Sequence, residues 1–311
     1  MRAIQINAFG GPEVIEMNDE AKKPELKQGQ VMIKVYSASL NPVDSMIRMG
    51  YVQKMMPMPF PITLGGDFSG KIFELGRDVK GFKVGDEVYG NAGPFRGGTG
   101  SFAEFLVTNS ANIAKKPVSV NITNAAAIPL VGTCALQAIE EDLDLQKGQK
   151  ILIRGGGGGI GSIAIQLAKL RGSYVTTTVS DDDMEYAKSL GADEVYDYKK
   201  DDVSKKLKNY DAIFETARAE DLNDLLKILK NGGKFISVTN QPDKEIANKH
   251  NITLVPFMSK ASKAQLERLA KLIDTKKLRV RVAKTFTFPE IKEAFKYFET
   301  EHPRGKVLVS M

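Results

Sequence analysis

The stretch Ile151-Leu152-Ile153-Arg154, followed by Gly155-Gly156-Gly157-Gly158-Gly159-Ile160-Gly161, decides the fold of this chain. Its apolar start is typical of a strand buried on both faces, as in a parallel sheet. Beyond the glycines, apolar residues recur at helical spacing. These are Ile160, Ile163, Ala164, Leu167 and Ala168. The pattern therefore predicts a strand, a glycine turn and a helix.

Three of the glycines, Gly156, Gly158 and Gly161, fit the G-x-G-x-x-G spacing of dinucleotide-binding turns. A helix N-terminus presents unpaired N–H groups and a positive dipole end, which suits a pyrophosphate. Five consecutive glycines also match many patterns by chance, and a flexible loop without a ligand is the alternative. Because the strand and the helix supply the context that the motif requires, we expect dinucleotide binding.

Length and composition favour a two-domain globular protein. The chain has 311 residues, of which 42% are hydrophobic and 26% are charged, enough for a sizeable core. No segment approaches the roughly 18 apolar residues of a membrane span. Residues 1–6 predict a strand rather than a signal peptide, so we expect a cytoplasmic protein.

Cysteine and histidine are scarce. Cys134 is the only cysteine, and His250 and His302 are the only histidines. A zinc site of the usual ligand count cannot be assembled convincingly from these residues, so we expect no metal.

The net charge of +6 raises the question of a nucleic-acid partner. The lysines are scattered, however, and Asp and Glu lie between them without an aromatic ladder. We therefore expect no nucleic acid, and a solvated surface that favours anionic ligands such as NADP.

The pattern of the chain changes near residue 121. Before it, short β-like segments between Gly and Pro indicate a small barrel-like domain. These are Val31–Tyr36, Gly70–Gly76, Val84–Gly90 and Ser101–Val107. Residues 122–141 predict a helix interrupted near Pro129 and Gly132.

Strands and helices then alternate, which indicates βαβ units and a parallel sheet. The predicted strands are Ile151–Ile153, Tyr174–Val179, Glu194–Tyr196, Ala212–Phe214, Lys234–Val238 and Ile252–Val255, and the predicted helices are 160–170, 183–190, 202–208 and 220–230. Ligands of such sheets lie beyond the carboxyl ends of the strands. Two later helices, 264–275 and 290–301, and the strand Lys306–Val309 suggest a return to the first domain.

Taken together, the chain resembles the zinc-free quinone oxidoreductase-like branch of the medium-chain dehydrogenase/reductase superfamily over essentially its whole length. The motifs that carry this resemblance are Ala38–Asp44, Pro61–Gly70, Val84–Tyr89, Ile151–Gly172, Ser189–Val195 and Arg304–Val307. It implies an α/β fold: a Rossmann-type doubly wound parallel sheet plus a β-rich GroES-like domain completed by the C-terminal segment. The GroES-like domain would comprise residues 1–120 and 260–311, and the Rossmann domain residues 121–259.

The zinc-containing relatives carry a cysteine near the position of Asp44, a histidine at that of Gly66, and a four-cysteine lobe after Val88-Tyr89. Here no cysteine stands at any of these places. The Lewis acid that would polarise an alcohol or a simple ketone is therefore missing. The resemblance implies instead NADPH-dependent reduction of a quinone or an α,β-unsaturated carbonyl. Relatives are often dimers, so it also implies a homodimer.

The resemblance also implies residues that bind the cofactor. Gly158, Gly159, Ile160 and Gly161, with Gly156 before them, would cradle the pyrophosphate through backbone N–H groups. Residues expected near the nicotinamide or on the cofactor side of the cleft are Thr133, Thr216, Val238, Thr239 and Lys306. For Lys306, a solvated surface position is the alternative.

The choice between NADP and NAD depends on the end of the second strand. Ser180 matches the small residue of NADP-preferring relatives, and Tyr198 matches a tyrosine that flanks the 2′-phosphate. The basic residue expected after Ser180 is replaced by Asp181-Asp182-Asp183. Because Ser180 and Asp183 have capping-box spacing, we interpret these aspartates as a helix cap and predict NADPH as the cofactor.

Three residues are candidates on the substrate side. Asn41 matches a family asparagine near the nicotinamide, and a turn former before Pro42 is the alternative. Asp44 either hydrogen-bonds within the pocket or caps a helix beginning at Ser45. Tyr51 either hydrogen-bonds a substrate carbonyl oxygen or packs in the core.

The resulting hypothesis is hydride transfer to an electrophilic carbon in a dry pocket. Asn41 or Tyr51 would stabilise the charge on the substrate oxygen, and water would supply the final proton. Two alternatives stay open: an enoyl-thioester reductase of the same superfamily, and a non-catalytic NADPH-binding sensor or RNA-binding protein.

Overall fold

The computed structural model describes residues 1–218, 220, 222–301 and 303–311, so His302 lies outside the described residues. In chain order, the strands are β1 (Ala3–Ile6), β2 (Glu16–Asn18), β3 (Gln30–Ser39), β4 (Ile62–Thr63), β5 (Asp67–Leu75), β6 (Glu87–Asn91), β7 (Phe105–Asn109), β8 (Ile113–Lys115), β9 (Lys150–Arg154), β10 (Tyr174–Val179), β11 (Glu194–Asp197), β12 (Tyr210–Glu215), β13 (Leu229–Ser237), β14 (Thr253–Val255), β15 (Val282–Thr287) and β16 (Lys306–Ser310).

The α-helices are α1 (Pro42–Arg48), α2 (Ile122–Ala125), α3 (Pro129–Leu136), α4 (Gly159–Leu170), α5 (Met184–Ser189), α6 (Val203–Lys206), α7 (Leu222–Leu225), α8 (Lys244–Lys249), α9 (Lys263–Asp274) and α10 (Ile291–Thr300). A π-helical segment, Gln137–Asp142, follows α3. Short 3₁₀ turns lie at Pro12–Val14, Pro94–Arg96, Ser110–Asn112, Asp181–Asp183, Leu226–Ile228 and Phe288–Glu290.

The chain divides into two units. The first comprises Met1–Leu130, Ala261–Thr275 and Arg281–Met311, and the second comprises Val131–Lys260 and Lys276–Val280. The return of the C-terminal segment to the first unit follows from strand pairing, since β16 is antiparallel to β3, with Leu308 opposite Ser39.

The first unit is built on two sheets. One has the order β2-β1-β4, and the other has the order β15-β16-β3-β5-β6-β8, with β7 also paired to β3. Apolar residues of both ends of the chain form its main core, where the rings of Phe102 and Phe295 lie 6.1 Å apart. Burying these rings excludes water from the interior, which stabilises the pairing of N-terminal and C-terminal strands.

The second unit is organised around β9. The sheet order is β11-β10-β9-β12-β13-β14, and every neighbouring pair is parallel. Ile151, Leu152 and Ile153 are fully buried in the centre, as expected for a strand covered on both faces. The register places Thr178 and Glu215 opposite Arg154, so the carboxyl ends of three strands meet at one edge. The predicted doubly wound parallel sheet is confirmed.

Several element boundaries differ from the prediction. Over 122–141 the interruption predicted near Pro129 is confirmed, since α2 ends at Ala125 and α3 begins at Pro129, but α3 continues through Gly132 and is followed by the π-helical segment. The strand expected over 101–107 begins only at Phe105, and the helix expected over 220–230 ends early because β13 begins at Leu229. The pattern also missed β15 and α8.

Among the helices that the structure describes, none combines the length and the apolar character that crossing a membrane would require.

Candidate functional site

The glycine turn packs too tightly for side chains at several positions, and most tightly at Gly156 and Gly161. A Cβ atom added to Gly156 would lie 2.1 Å from Thr177 Oγ1, and one added to Gly161 would lie 2.3 Å from the Gly155 oxygen. Glycine at these positions therefore lets α4 approach β9 and β10 closely.

Gly158 differs from both, because its surroundings are more open. It is exposed, and a Cβ added there would meet only the Gly155 oxygen, at 3.3 Å. Its own N–H donates to that oxygen (3.0 Å), so Gly158 contributes space rather than a donor.

The donors at the turn come from the next three residues. The first bond inside α4 runs from the Ser162 N–H to the Gly158 oxygen. The N–H groups of Gly159, Ile160 and Gly161 therefore have no acceptor within the helix. An uncovered helix N-terminus with space in front of it fits the pyrophosphate of a dinucleotide.

The other residues predicted to bind a cofactor in this unit follow the ends of its strands. Ser180 follows β10, Tyr198 follows β11, Thr216 follows β12, and Val238 and Thr239 follow β13. All of them therefore lie along the carboxyl edge of the sheet, where ligands of doubly wound folds bind. Their contacts with a cofactor stay predictions.

Hydrogen bonds between strand ends fix this edge. Thr216 Oγ1 donates to the Arg154 oxygen (2.6 Å), and Thr239 Oγ1 donates to the Ala217 oxygen (3.1 Å). The fully buried Glu215 carboxylate accepts from the Ala217 N–H (2.7 Å) and lies 3.3 Å from the Arg154 guanidinium. Glu215 therefore holds the turn that follows β12.

The capping-box hypothesis for the acidic stretch is wrong. Ser180 has extended backbone at the N-cap of the 3₁₀ turn Asp181–Asp183, but its side chain makes no capping hydrogen bond within the described chain. Asp181 pairs with Lys200 (3.1 Å) instead. Asp183 is buried, with its carboxylate against Gly157.

A cavity of about 330 Å³ opens at this end of the sheet, near Tyr198. It is lined by Arg154, Thr178, Tyr198, Lys199, Lys200, Asp201, Asp202 and Val203. Ionisable side chains make up more than half of this lining, which suits a charged ligand group better than an apolar one.

Thr133 and Cys134 lie in α3 and are buried. Cys134 is a free cysteine, and its burial agrees with a packing role, since no activating base is indicated beside it in the sequence. The contact of Thr133 with a nicotinamide stays a prediction.

In the first unit, Asn41 belongs to a buried polar network centred on Asp67. The Asp67 carboxylate accepts from Asn41 Nδ2 (3.0 Å), from Asn91 Nδ2 (3.0 Å) and from the Leu130 N–H (3.1 Å). The Lys306 ammonium lies 3.9 Å from the same carboxylate. A buried anion thereby receives both hydrogen bonds and a nearby cation, which offsets its desolvation.

Lys306 is a buried member of this network rather than a solvated lysine. Its ammonium donates to the Leu40 oxygen (2.8 Å) and to Asn41 Oδ1. The surface alternative for Lys306 is therefore wrong, and its predicted approach to a cofactor stays a prediction.

Asp44 lies inside the first turn of α1 rather than before the helix. Helix α1 begins at Pro42 with Asn41 as its N-cap, and Asp44 Oδ2 accepts from the Asn41 N–H (2.8 Å). A cap for a helix beginning at Ser45 is therefore wrong. Burial raises the pKa of Asp44 to about 7, and the charge of Asp67 adds to this effect, while the Asn41 N–H and the Lys306 cation oppose it.

Tyr51 and Asn41 differ sharply in accessibility. Tyr51 lies in the turn after α1 with 72% of its surface exposed, so the core-packing alternative is wrong. Asn41 is 1% exposed, and its amide nitrogen donates to Asp67 Oδ2 and to the Ser39 oxygen. Both amide hydrogens of Asn41 are thus already used within the protein.

Sequence reasoning gave no role to Asp67 or Lys200. Asp67 lies in the motif Pro61–Gly70, directly after Gly66, the position of the zinc-ligand histidine in zinc-containing relatives. That neighbouring position was the signal that could have identified Asp67. Lys200 follows the Tyr198-Lys199 pair, and its link to Asp181 crosses two strand ends, which no local spacing reveals.

In the described part of the chain, no three His, Cys, Asp or Glu side chains cluster in a way that could hold a metal ion.

Comparison with known proteins gives matches over the whole chain. A family model described as an alcohol dehydrogenase GroES-like domain matches residues 27–118, and one described as a zinc-binding dehydrogenase matches residues 190–309. An NADPH-dependent alkenal/one oxidoreductase of Arabidopsis thaliana is 33% identical, over 99% of this chain and 79% of its own length. A chloroplast envelope quinone oxidoreductase homolog of the same organism is 32% identical, over 99% and 98%.

A solved structure of the quinone oxidoreductase from Coxiella burnetii superposes with a TM-score of 0.91 at 33% identity, covering 100% of this chain and 99% of that one. The parallel Rossmann-like sheet and the GroES-like domain are thus shared with these relatives. On these grounds, the chain belongs to the quinone oxidoreductase-like branch of the medium-chain dehydrogenase/reductase superfamily.

Proposed function

We propose that the chain is an NADPH-dependent reductase that transfers hydride to a quinone or an α,β-unsaturated carbonyl without zinc. The observation that carries this proposal is the glycine turn, where exposed Gly158 leaves room in front of the N–H groups of α4. The names of two relatives support it, one an NADPH-dependent alkenal/one oxidoreductase and the other a quinone oxidoreductase.

The second unit would hold the cofactor. Gly159, Ile160 and Gly161 would donate backbone hydrogen bonds to the pyrophosphate, and Ser180 and Tyr198 would flank the adenosine ribose. Thr133, Thr216, Val238 and Thr239 would contribute to the nicotinamide end. A nicotinamide cofactor bound there supplies the hydride.

The hydrogen bonds of Asp44 and Asp67 in the first unit support a reaction without zinc. Asp44 and Asp67, at and beside the positions where zinc-containing relatives carry ligands, bond to Asn41 and Asn91. A lysine ammonium supplies the positive charge within this group, since Lys306 lies 3.9 Å from Asp67 Oδ2. These side chains would act by holding the local backbone rigid rather than by polarising a substrate.

Tyr51 is the better of the two candidates for stabilising charge on the substrate oxygen. Its phenol is exposed, whereas the Asn41 amide hydrogens are used within the buried network. A phenol O–H donates one hydrogen bond, and that bond strengthens as negative charge develops on the oxygen. Water would then supply the final proton.

The test measures oxidation of NADPH with a small quinone and with a small enone, next to binding titrations of NADPH and NADH. Turnover of either substrate supports the proposal. Tight cofactor binding without turnover of either one overturns it. Turnover of a crotonyl thioester alone would assign the chain to the enoyl-thioester reductases, and a salt-dependent complex with RNA would favour the binding-protein alternative.

The homodimeric state and the cytoplasmic location stay predictions. Light scattering of the purified protein tests the first, and localisation of a tagged chain tests the second.

A further inference from the structure

The acidic stretch after β10 is the feature that the proposed NADPH preference does not explain. NADP enzymes avoid a carboxylate at this position, because it repels the 2′-phosphate. Here three aspartates follow Ser180 directly.

The carboxylates of Asp181 and Asp183 are engaged by other parts of the second unit. Asp183 is buried against Gly157, and Asp181 Oδ2 lies 3.1 Å from the Lys200 ammonium. The same ammonium lies 3.4 Å from Asp197 Oδ2, at the end of β11. Lys200 therefore joins the turn after β10 to the end of β11, and the two carboxylates share its single positive charge.

Most of the charged side chains that line the cavity beside Tyr198 are joined in ion pairs. Asp201 and Asp202 line it, but they pair with Lys206 and Lys205 of α6. Arg154 is likewise paired, with Glu215.

Lys199 lines the same cavity but, unlike these residues, forms no ion pair within the described part of the chain. Within the described residues, its ammonium has no carboxylate at ion-pair distance, and it lies 5.9 Å from the centre of the Tyr198 ring. Among the described cations that line this cavity, Lys199 is the one without such a carboxylate, so its charge is available to a ligand.

We propose that Lys199 and Lys200 replace the basic residue that is missing after Ser180, so that the 2′-phosphate of NADPH binds in the cavity beside Tyr198. Lys199 contacts the phosphate directly. Lys200 does not contact the phosphate, and it reduces the repulsion of the phosphate by pairing with Asp181. This inference rests on the proposed function, since it concerns the preferred form of the same cofactor.

The test uses two fragments that differ only in the 2′-phosphate, adenosine 2′,5′-bisphosphate and 5′-AMP, titrated calorimetrically into the whole chain. We expect the wild type to prefer the bisphosphate. Lys199→Ala should reduce that preference by about 5- to 10-fold and leave 5′-AMP affinity unchanged. Lys188→Ala is the matched control, because Lys188 is an exposed lysine of α5 that pairs with Glu185.

A second pair of variants separates neutralisation from direct contact. Lys200→Ala should also reduce the preference for the bisphosphate, and Lys200→Ala/Asp181→Asn should restore most of it, because the repelling carboxylate is gone. Unchanged preference in both lysine variants, or no recovery in the double variant, overturns the roles assigned to these lysines.

The outcomes also separate this inference from the proposed function. A wild type that binds both fragments equally, while still binding NADPH and NADH, overturns only the inference. A wild type that binds none of the four overturns the proposed function, and the inference with it.

Discussion

The Lys306 ammonium donates to the amide oxygen of Asn41, although 265 positions separate the two residues in the chain. The bond fixes which way the amide points, so that its nitrogen faces Asp67. It also links β16 to the start of α1, because Lys306 opens the last strand and Asn41 caps the helix. A single buried cation thereby holds the N-terminal and C-terminal parts of the first unit together.

Replacing this cation should destabilise the first unit strongly. Lys306→Met keeps the length of the side chain but leaves Asp67 without a nearby positive charge and Asn41 Oδ1 without its donor. Removing one partner of a buried charged group costs roughly 3 to 5 kcal/mol, and we expect a loss of that size in chemical denaturation.

The control for Lys306 is Lys292→Met, at an exposed position of α10, which should change stability by less than about 0.5 kcal/mol. Equal stability of the Lys306 variant and the wild type would contradict the role of the network.

Asp44 should make stability depend on pH. Its pKa is raised from 3.8 to about 7 in the folded state, so the folded chain binds the proton more tightly than the unfolded chain. Its favourable contribution is complete below pH 4 and is lost as the pH rises to about 7. Asp44→Asn imitates the protonated acid, so the variant should gain stability relative to the wild type by roughly 4 kcal/mol between pH 4 and pH 8.

Urea denaturation at a series of pH values measures this difference. Asp19→Asn, at an exposed position, should run parallel to the wild type. A constant difference between Asp44→Asn and the wild type across the range would show that Asp44 is ionised throughout.

How far the sequence predicts this molecule depends on the distance between the residues that interact. Local patterns were sufficient for the parallel sheet, because each strand and its helix carry their own periodicity, and β10 was predicted to the residue. The contact of Asn41 with Asp67 and Lys306 joins residues far apart in the chain, and no periodicity relates them.

The boundaries near residues 122–141 were predicted only in part. Pro129 marks the break before α3, but α3 continues through Gly132 and changes to a π-helical segment at Gln137, which no local pattern marks. The pairing of Lys200 with Asp181 likewise depends on the fold, because it requires the ends of β10 and β11 to be adjacent.

Substitution by alanine should lower the stability of the fold at Gly161 much more than at Gly158. Gly161→Ala places a methyl group 2.3 Å from the Gly155 oxygen, so we expect a stability loss of about 1 to 3 kcal/mol. Gly158→Ala meets only the Gly155 oxygen, at 3.3 Å, and has a φ of −78° that alanine tolerates, so its stability should change by about 1 kcal/mol or less.

Binding should show the complementary result. The methyl group of Gly158→Ala would occupy the space in front of α4, and we expect it to weaken NADPH binding at least about 10-fold. Calorimetry and thermal melting of the two variants measure both effects. Unchanged NADPH affinity in a folded Gly158→Ala would exclude this turn as the pyrophosphate site.

Tyr51→Phe should lower the rate of hydride transfer without changing the fold or the cofactor affinity. The exposed phenol makes no contribution to the core, and the substitution removes only its O–H. If that group stabilises charge on the substrate oxygen in the transition state, kcat should fall by about 10-fold, the effect of one hydrogen bond to a developing charge.

Tyr36→Phe, also at an exposed position, is the control and should leave kcat unchanged. A rise in KM at constant kcat would instead mean that Tyr51 binds the substrate equally in the ground state and the transition state. In that case the oxygen would have to be stabilised by another donor, since the Asn41 amide hydrogens are already used by Asp67 and Ser39.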